Sequence, residues 1–231
     1  VSSQSREQAV FAARVGYVQN IDIAALQSWS EENQVRVVVA ALPGTFATPG
    51  RALAYVVATT DGDPQVDCKA VVKAFQIGSN RLFYDDPRFG LVVLSEIAGR
   101  ALSPAVNDPG TAIHVVGTLV RLFALWSHAG TADSESAPKH DRVEVPEISV
   151  RDMFDDAFTA VARDGAGVVE VAVRLQKALD SLASTGDPQM REAAEYHGQL
   201  ALKRAQVAMG IAEDLAVVRE AAKFSESSAY H

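Results

Sequence analysis

The chain has 231 residues, 48% of them hydrophobic, which is enough to bury a substantial core as one large domain or two small ones. Its 29 acidic and 21 basic residues give a net charge of -8, which argues against nucleic acid as a partner because that role needs clustered lysine and arginine. The single cysteine, Cys68, cannot form an intrachain disulfide and suits a reducing compartment. The first residues lack the features of a signal peptide, so we expect a soluble chain.

Residues 1–60 predict a small β-rich unit with one helix. Asp22 can cap the helix IDIAALQSW, whereas VRVVVAAL and ALAYVVA are typical of strands. Leu42-Pro43-Gly44 and Thr48-Pro49-Gly50 are typical of turns between them. The run from Gly44 to Ala54 resembles the strand-turn-strand half of lipoyl and biotinyl carrier domains. No second half with an exposed carrier lysine accompanies it, so we interpret it as a barrel-sandwich-like β element.

Four Asp-Pro dipeptides mark helix starts, because aspartate caps a helix and proline suits its first position. They are Asp63-Pro64, Asp86-Pro87, Asp108-Pro109 and Asp187-Pro188. The first predicts a helix that includes Phe75 and stops at Gly78, followed by an extended link over 81–84. The second predicts a helix that ends before Pro104.

The segment that follows Asp108 predicts the central helix of the fold, over residues 109–128. It has almost no polar face, and a helix that is apolar all round is buried. Arg121 and His114 interrupt it, and it is too short and too polar at its ends for a membrane span of ~20 apolar residues. We therefore expect a buried core helix that packs with the helix before it.

The rest of the chain predicts an exposed mobile loop over 129–141, a short strand over 142–145 and further helices over 152–163, 167–184 and 187 to about 224. The last helix carries two series of residues that recur every seven positions, one from Ala194 and one from His197. Such a seam is typical of a helix that packs against another helix. Its seam is mostly alanine, which favours packing within the chain over an intermolecular coiled coil. The predicted fold is α+β, with the β-rich unit packed on a mainly α-helical bundle over 63–231.

The run ALSP-x-x-NDP-x-TA, from Ala101 to Ala112, is the most specific motif of the chain. Together with the features above, it resembles the bacterial predicted membrane proteins grouped as domain of unknown function 2254. Other matching residues are Gly16-Tyr17-Val18-Gln19, Ile21-Asp22, Pro43-Gly44, Phe46, Gly78, Arg81, Asp86, Phe89-Gly90-Leu91, Ile97-Ala98, Arg100 and Asp156-Ala157-Phe158. Asp85 and Val92 depart from it, because the family tends to carry glutamine and arginine there. The resemblance implies a soluble region that follows an N-terminal transmembrane bundle, and it implies no catalytic residue.

The loop from Ser103 to Asp108 is the candidate ligand-binding site. The hypothesis includes a polar set around the two apolar helices: Arg81, Asp86, Arg100, Ser103, Asn107, Asp108 and Thr111. The alternative is structural, since these side chains can also cap helix ends and form an ion pair. We expect the loop to be ordered and largely buried, with Arg81 or Arg100 paired to an acidic side chain. Five histidines without zinc spacing predict no metal site, and no motif predicts a cofactor.

Three classes of function remain open. The first is a cytoplasmic sensing or assembly domain of a bacterial integral membrane protein in the cell membrane, with its own transmembrane segments as partner. The second is a purely structural oligomerisation domain, and we expect a homo-oligomer in either case. The third is an enzyme, but no nucleophile elbow, phosphate loop or dinucleotide fingerprint supports it.

Overall fold

The computed structural model describes residues 7–59, 66–132, 140–185 and 187–222, except for the side chains of 128–132. Within these ranges the strands are β1 (Glu7–Phe11), β2 (Gly16–Ile21), β3 (Val35–Val39), β4 (Phe46–Ala47), β5 (Ala52–Ala58), β6 (Phe75–Gly78) and β7 (Val143–Glu144). The helices are α1 (Ile23–Glu32), α2 (Lys69–Ala74), α3 (Pro87–Ala101), α4 (Pro109–Ala132), α5 (Val150–Asp164), α6 (Val169–Ala183), α7 (Pro188–Ala208) and α8 (Ala212–Ala221). The predicted α+β class is confirmed.

The chain forms two compact units. Unit one comprises Val1–Phe89 with Ser136–Glu147, and unit two comprises Gly90–Glu135 with Ile148–His231. Helix α3 therefore begins in unit one and continues into unit two. The sequence placed the boundary near residue 60, but unit one extends further because α2 packs on α1 and β6 pairs with β2.

Unit one contains two sheets around one apolar core. The strand orders are β1-β5-β3-β7 and β4-β2-β6, and buried residues of both sheets belong to the same hydrophobic cluster. Strand β3 shows the alternation that supplies this core from one face, since Val35, Val37 and Val39 are buried whereas Arg36 between them is exposed. The predicted strand near residue 143 is confirmed as β7, which pairs in parallel with β3.

Local signals account for one helix start in unit one and miss a helix end. The predicted cap of α1 is confirmed, because the Asp22 carboxylate accepts the N–H of Ala25 at 2.9 Å. The predicted helix through Phe75 is wrong: α2 ends at Ala74, and Phe75–Gly78 extends to pair with β2. That pairing is long-range, so helical spacing could not reveal it. The Asp63-Pro64 dipeptide lies outside the described residues.

Unit two is helical, and its core contains three phenylalanines. Phe123 of α4 lies 4.5 Å from Phe154 of α5 between ring centroids, and 5.7 Å from Phe158. All three side chains are buried. The aromatic cluster joins α4 to α5, while α6 packs on α4 and α7.

Two helix predictions in unit two are corrected. The segment from 187 to about 224 is not one helix, because the backbone is extended at Met209 and Ile211, which ends α7 at Ala208 and starts α8 at Ala212. Residues 129–132 continue α4 and do not belong to a loop, while 133–139 lie outside the described residues. Ala194, His197 and Ala201 are buried, so this part of the seam packs within the chain as predicted.

Helix α4 is buried on one face only. Val116, Leu119 and Phe123 lie in the core, but Leu122 and Leu125 are exposed. The prediction of a helix buried all round is therefore wrong. Residues three or four apart share a helical face, so neighbours in unit two cover one side while the other meets solvent.

Candidate functional site

Arg81 and Asp86 form a bidentate ion pair in unit one. The Arg81 Nε donates to Asp86 Oδ2 at 2.7 Å, and its Nη2 donates to Oδ1 at 2.9 Å. Asp86 is only 2% exposed, whereas the Arg81 side chain keeps 21% of its surface in solvent. The prediction that Arg81 pairs with an acidic side chain is confirmed. A planar guanidinium suits this two-pronged contact better than an ammonium.

The same carboxylate starts helix α3. Asp86 Oδ1 also accepts the backbone N–H of Phe89 at 3.0 Å, as expected from the Asp-Pro motif. The Arg81 guanidinium lies 5.1 Å from the centroid of the Phe89 ring, which stacks on Phe83 at 4.5 Å. The ion pair therefore ties the link before α3 to the first turn of that helix.

Gly44 packs directly against this pair. Its φ of +88° is a conformation that favours glycine, and its N–H donates to the Val18 carbonyl at 2.8 Å. A Cβ built at Gly44 would overlap Asp86 Oδ2 and lie 2.7 Å from Asp86 Cγ and 2.9 Å from Arg81 Nη2. The predicted turn at 42–44 thus has a second role that its sequence did not reveal, as one wall around a buried carboxylate.

The loop in unit two is held by its own backbone and by two caps. The Ser103 hydroxyl donates to the Arg100 carbonyl at 2.7 Å, which closes the end of α3. Asp108 accepts from the Thr111 N–H at 3.1 Å and from the Thr111 hydroxyl at 2.6 Å, which opens α4. The hydrogen bonds from Thr111 hold the pKa of Asp108 below its ordinary value. Asn107 has a φ of +49°, a conformation that asparagine tolerates well.

The expectation that this loop is largely buried is wrong. Residues 104–108 are exposed, and so is the Arg100 side chain. The loop can stay in solvent because its polar backbone groups bond to each other and to the ends of α3 and α4, for example from the Asp108 N–H to the Ala101 carbonyl at 2.8 Å. Ligand binding by the seven candidate residues stays a prediction, and the observed caps and ion pair are what its structural alternative expects.

A buried histidine with charged neighbours in unit two was not among the candidates. His197 of α7 is 2% exposed, and its Nε2 lies 3.1 Å from Oδ1 of Asp155 on α5, without the alignment of a hydrogen bond. Burial lowers the pKa of His197, and Arg151 and Arg204 lower it further, against the raising effect of the Asp155 carboxylate. The imidazole is therefore neutral at pH 7. The one sequence signal was a pair of polar positions, His197 and Arg204, in the alanine seam.

Metal chemistry finds no support in the described part of the chain. No group of three or more His, Cys, Asp or Glu side chains that could hold a metal ion occurs there. The two carboxylates of the candidate set have partners within the chain: Asp86 pairs with Arg81, and Asp108 accepts from Thr111.

Helix α4 is the one described helix that is long and apolar enough to cross a membrane. The segment Pro109–Ser127 has 19 residues and a mean hydropathy of 1.3, and 28% of it is buried. Length and composition alone do not distinguish a membrane span from a core helix. One face of α4 belongs to the core, because Val116, Leu119 and Phe123 are buried. This packing does not explain the apolar side chains on the exposed face.

Comparison with known proteins matches the chain to a family of predicted membrane proteins. The family model described as "Predicted membrane protein (DUF2254)" matches residues 2–181. Uncharacterized proteins from Mycobacterium tuberculosis (strains CDC 1551 and H37Rv) and Mycobacterium bovis are 27% identical over 219 residues, which is 92% of this chain but 42% of each relative. The chain thus spans less than half the length of these relatives. No solved structure matches it. Because the family model covers most of the sequence, the chain belongs to the DUF2254 family of predicted membrane proteins.

Proposed function

We propose that this chain is a cytoplasmic assembly domain of a bacterial integral membrane protein, and that it docks on the membrane-embedded part of the same protein through helix α4. The observation that carries the proposal is the exposed apolar side of that helix. Leu122 is 41% exposed, Leu125 69% and Trp126 37%. We call these three residues the α4 apolar face.

The spacing of the three residues makes them one surface. Leu122 and Trp126 are four residues apart and Leu125 is three from Leu122, so they lie on one side of the helix. Contiguous apolar surface of this kind marks an interaction site more often than single exposed leucines do. The relatives are more than twice as long as the matched region, which leaves room for a membrane-embedded part that could cover the face.

The docking role is tested in the full-length protein with a protease site placed ahead of this region. After cleavage, we expect the wild-type domain to sediment with the membranes and the Leu125→Glu domain to be released. Val207→Glu is the matched control, because Val207 is a 90% exposed apolar residue on another helix. Both side chains are exposed, so neither change should alter the melting temperature of the isolated chain much. Release of the cleaved wild-type domain, or retention of Leu125→Glu, would contradict docking through α4.

The cytoplasmic side is tested through Cys68, a free thiol. A membrane-impermeant maleimide should label Cys68 in the full-length protein only after cells are lysed, as followed by mass spectrometry of the peptide that contains it. Labelling of intact spheroplasts would place the domain on the outer side.

Self-association is the second candidate function, and the same face supports it. A second copy could cover the α4 apolar face, since two-fold interfaces pair one patch with itself. Light scattering of the isolated chain separates the two roles. A dimer that Leu125→Glu converts to a monomer would assign the face to a second copy, whereas a monomer at all concentrations leaves it to the membrane-embedded part. In the full-length protein, the sensing hypothesis for the seven candidate residues remains a separate prediction.

A further inference from the structure

An apolar groove runs between β1 and α2 in unit one. It has a volume of about 480 Å³, which lies in the range of small-molecule sites. Val10 and Phe11 of β1 line one side, while Cys68 and Val72 line the other. Phe11 is 46% exposed, so its ring meets the open groove. Nothing in the seven-residue site hypothesis or in the α4 apolar face involves this surface.

The rim of the groove carries positive charge on the side formed by α2. Lys69 and Lys73 both line it and lie four residues apart, which puts them on the same side of α2. Asp67 pairs with Lys69 at 3.2 Å, so these three groups leave one net positive charge. In the part of the chain that the structure describes, no acidic group lies within ion-pair distance of Lys73. The Lys73 ammonium acts on Asp67 only at longer range, where it helps to lower the pKa of that carboxyl. Because Lys73 forms no ion pair within the described residues, its ammonium is the group at this rim that can receive an anion.

The cysteine in the groove belongs to the lining and not to a reactive centre. Burial raises the pKa of the Cys68 thiol, and the neighbouring Asp67 raises it further. The thiol therefore stays protonated near pH 7 and behaves as a small apolar group. Since it is the single cysteine of the chain, it also reports on whether the groove is filled.

From the apolar lining and the cationic rim we infer that this groove binds a single-chain amphiphile with a carboxylate head, such as a fatty acid. The acyl chain lies along Phe11, Cys68 and Val72, where it removes their apolar surface from water. The carboxylate meets the Lys73 ammonium at the rim. A cationic amphiphile of the same length gains the apolar contact but meets the positive rim. The groove thus selects for the sign of the head group.

The test measures the rate at which neutral N-ethylmaleimide modifies Cys68, with dodecanoate kept below the concentration at which it forms micelles. We expect saturating dodecanoate to slow the reaction about tenfold, because a bound chain covers the thiol. Dodecyltrimethylammonium at the same concentration should leave the rate within about twofold of the unliganded protein, because the positive rim disfavours its head group.

Charge reversal at the rim supplies the decisive variant. Lys73→Glu should weaken dodecanoate binding about tenfold, since it removes an attraction and adds a repulsion. Lys177→Glu is the matched control: it makes the same change at an exposed position of α6 and should bind like wild type. Circular dichroism of both variants shows whether either has lost its fold. If Lys73→Glu is unfolded, Lys73→Gln takes its place, with a smaller loss of binding expected.

Four results would overturn the inference. The first is an unchanged rate with dodecanoate in the wild-type chain. The second is equal protection by the cationic amphiphile, and the third is equal protection in folded Lys73→Glu. The fourth is protection by vesicles of anionic phospholipid but not by monomeric dodecanoate, which would assign the groove to a bilayer surface. None of these results bears on docking through α4, so the two proposals fail separately.

Discussion

Replacing Gly44 by alanine should strongly destabilise unit one. The new methyl group would overlap Asp86 Oδ2 and approach Asp86 Cγ to 2.7 Å and Arg81 Nη2 to 2.9 Å. The carboxylate cannot simply swing into solvent, since Asp86 is 2% exposed and also accepts the N–H of Phe89. The substitution therefore forces either the turn or the ion pair to move.

The expected loss has two parts. A residue with a Cβ at a φ of +88° costs about 1–2 kcal/mol relative to glycine. Breaking a buried ion pair costs about 3–5 kcal/mol, and we take the lower end because the Arg81 side chain is 21% exposed and can be rehydrated. The sum is about 4 kcal/mol, a large fraction of the ~5–15 kcal/mol that stabilises a typical domain.

The assay is urea unfolding followed by tryptophan fluorescence. Trp29 of α1 lies in unit one and Trp126 of α4 in unit two, so a Trp126→Phe background reports on unit one alone. Gly50→Ala is the matched control, because a Cβ there meets nothing within 4 Å. We expect the control to stay within about 1 kcal/mol of its parent. If Gly44→Ala also unfolds within about 1 kcal/mol of its parent, Asp86 and Arg81 can accommodate the methyl group, which would refute the predicted clash.

Three further predictions concern unit two. Because the pKa of His197 is lowered by folding, the unfolded chain takes up its proton first as pH falls below about 6.5. The contribution of His197 to the free energy of unfolding should therefore be constant above that pH and decline below it, by at most about 1.4 kcal/mol per pH unit. His197→Gln should remove this decline, as measured by urea unfolding between pH 8 and pH 5. Phe154→Ala should cost about 3–5 kcal/mol in the same assay, because the side chain is fully buried beside Phe123; a cost under 1 kcal/mol would contradict the packing. Asp108→Asn should keep the cap of α4 and melt like wild type, while Asp108→Ala should melt lower; if Asn leaves stability intact but abolishes a full-length phenotype, the carboxylate belongs to a site.

The sequence predicted the elements whose signals are local. Asp22, Asp86 and Asp187 each begin a helix where the Asp-Pro or N-cap pattern placed one, because the cap and the first turn are neighbours in the chain. The run VRVVVAAL was likewise predicted as a strand, and it contains β3. In these cases the interaction that fixes the structure spans only a few residues.

Long-range contacts decided the features that were missed. Strand β6 exists because Phe75 and Ile77 pair with β2, more than fifty residues earlier, and its four residues also fit the end of a helix. The break at Met209 and Ile211 has no proline, so helical periodicity continued through it. The exposed side of α4 was missed because apolar composition cannot tell which neighbours cover a helix.

The candidate loop was the hardest feature to interpret, because helix caps and ligand sites need the same residue types. What separates them is hydrogen-bonding capacity that the fold has not already used. Asp108 directs both carboxylate oxygens to Thr111, and Asp86 is committed to Arg81, so neither offers its best acceptor to a ligand. In the β1–α2 groove, by contrast, the Lys73 ammonium borders an apolar surface and forms no ion pair within the described residues. The groove could not be inferred from sequence, since β1 and α2 are separated by more than fifty residues and meet only in the fold. The polar motif at this loop therefore predicted helix caps. A binding site is better sought where a charged group has no partner within the chain and borders apolar surface.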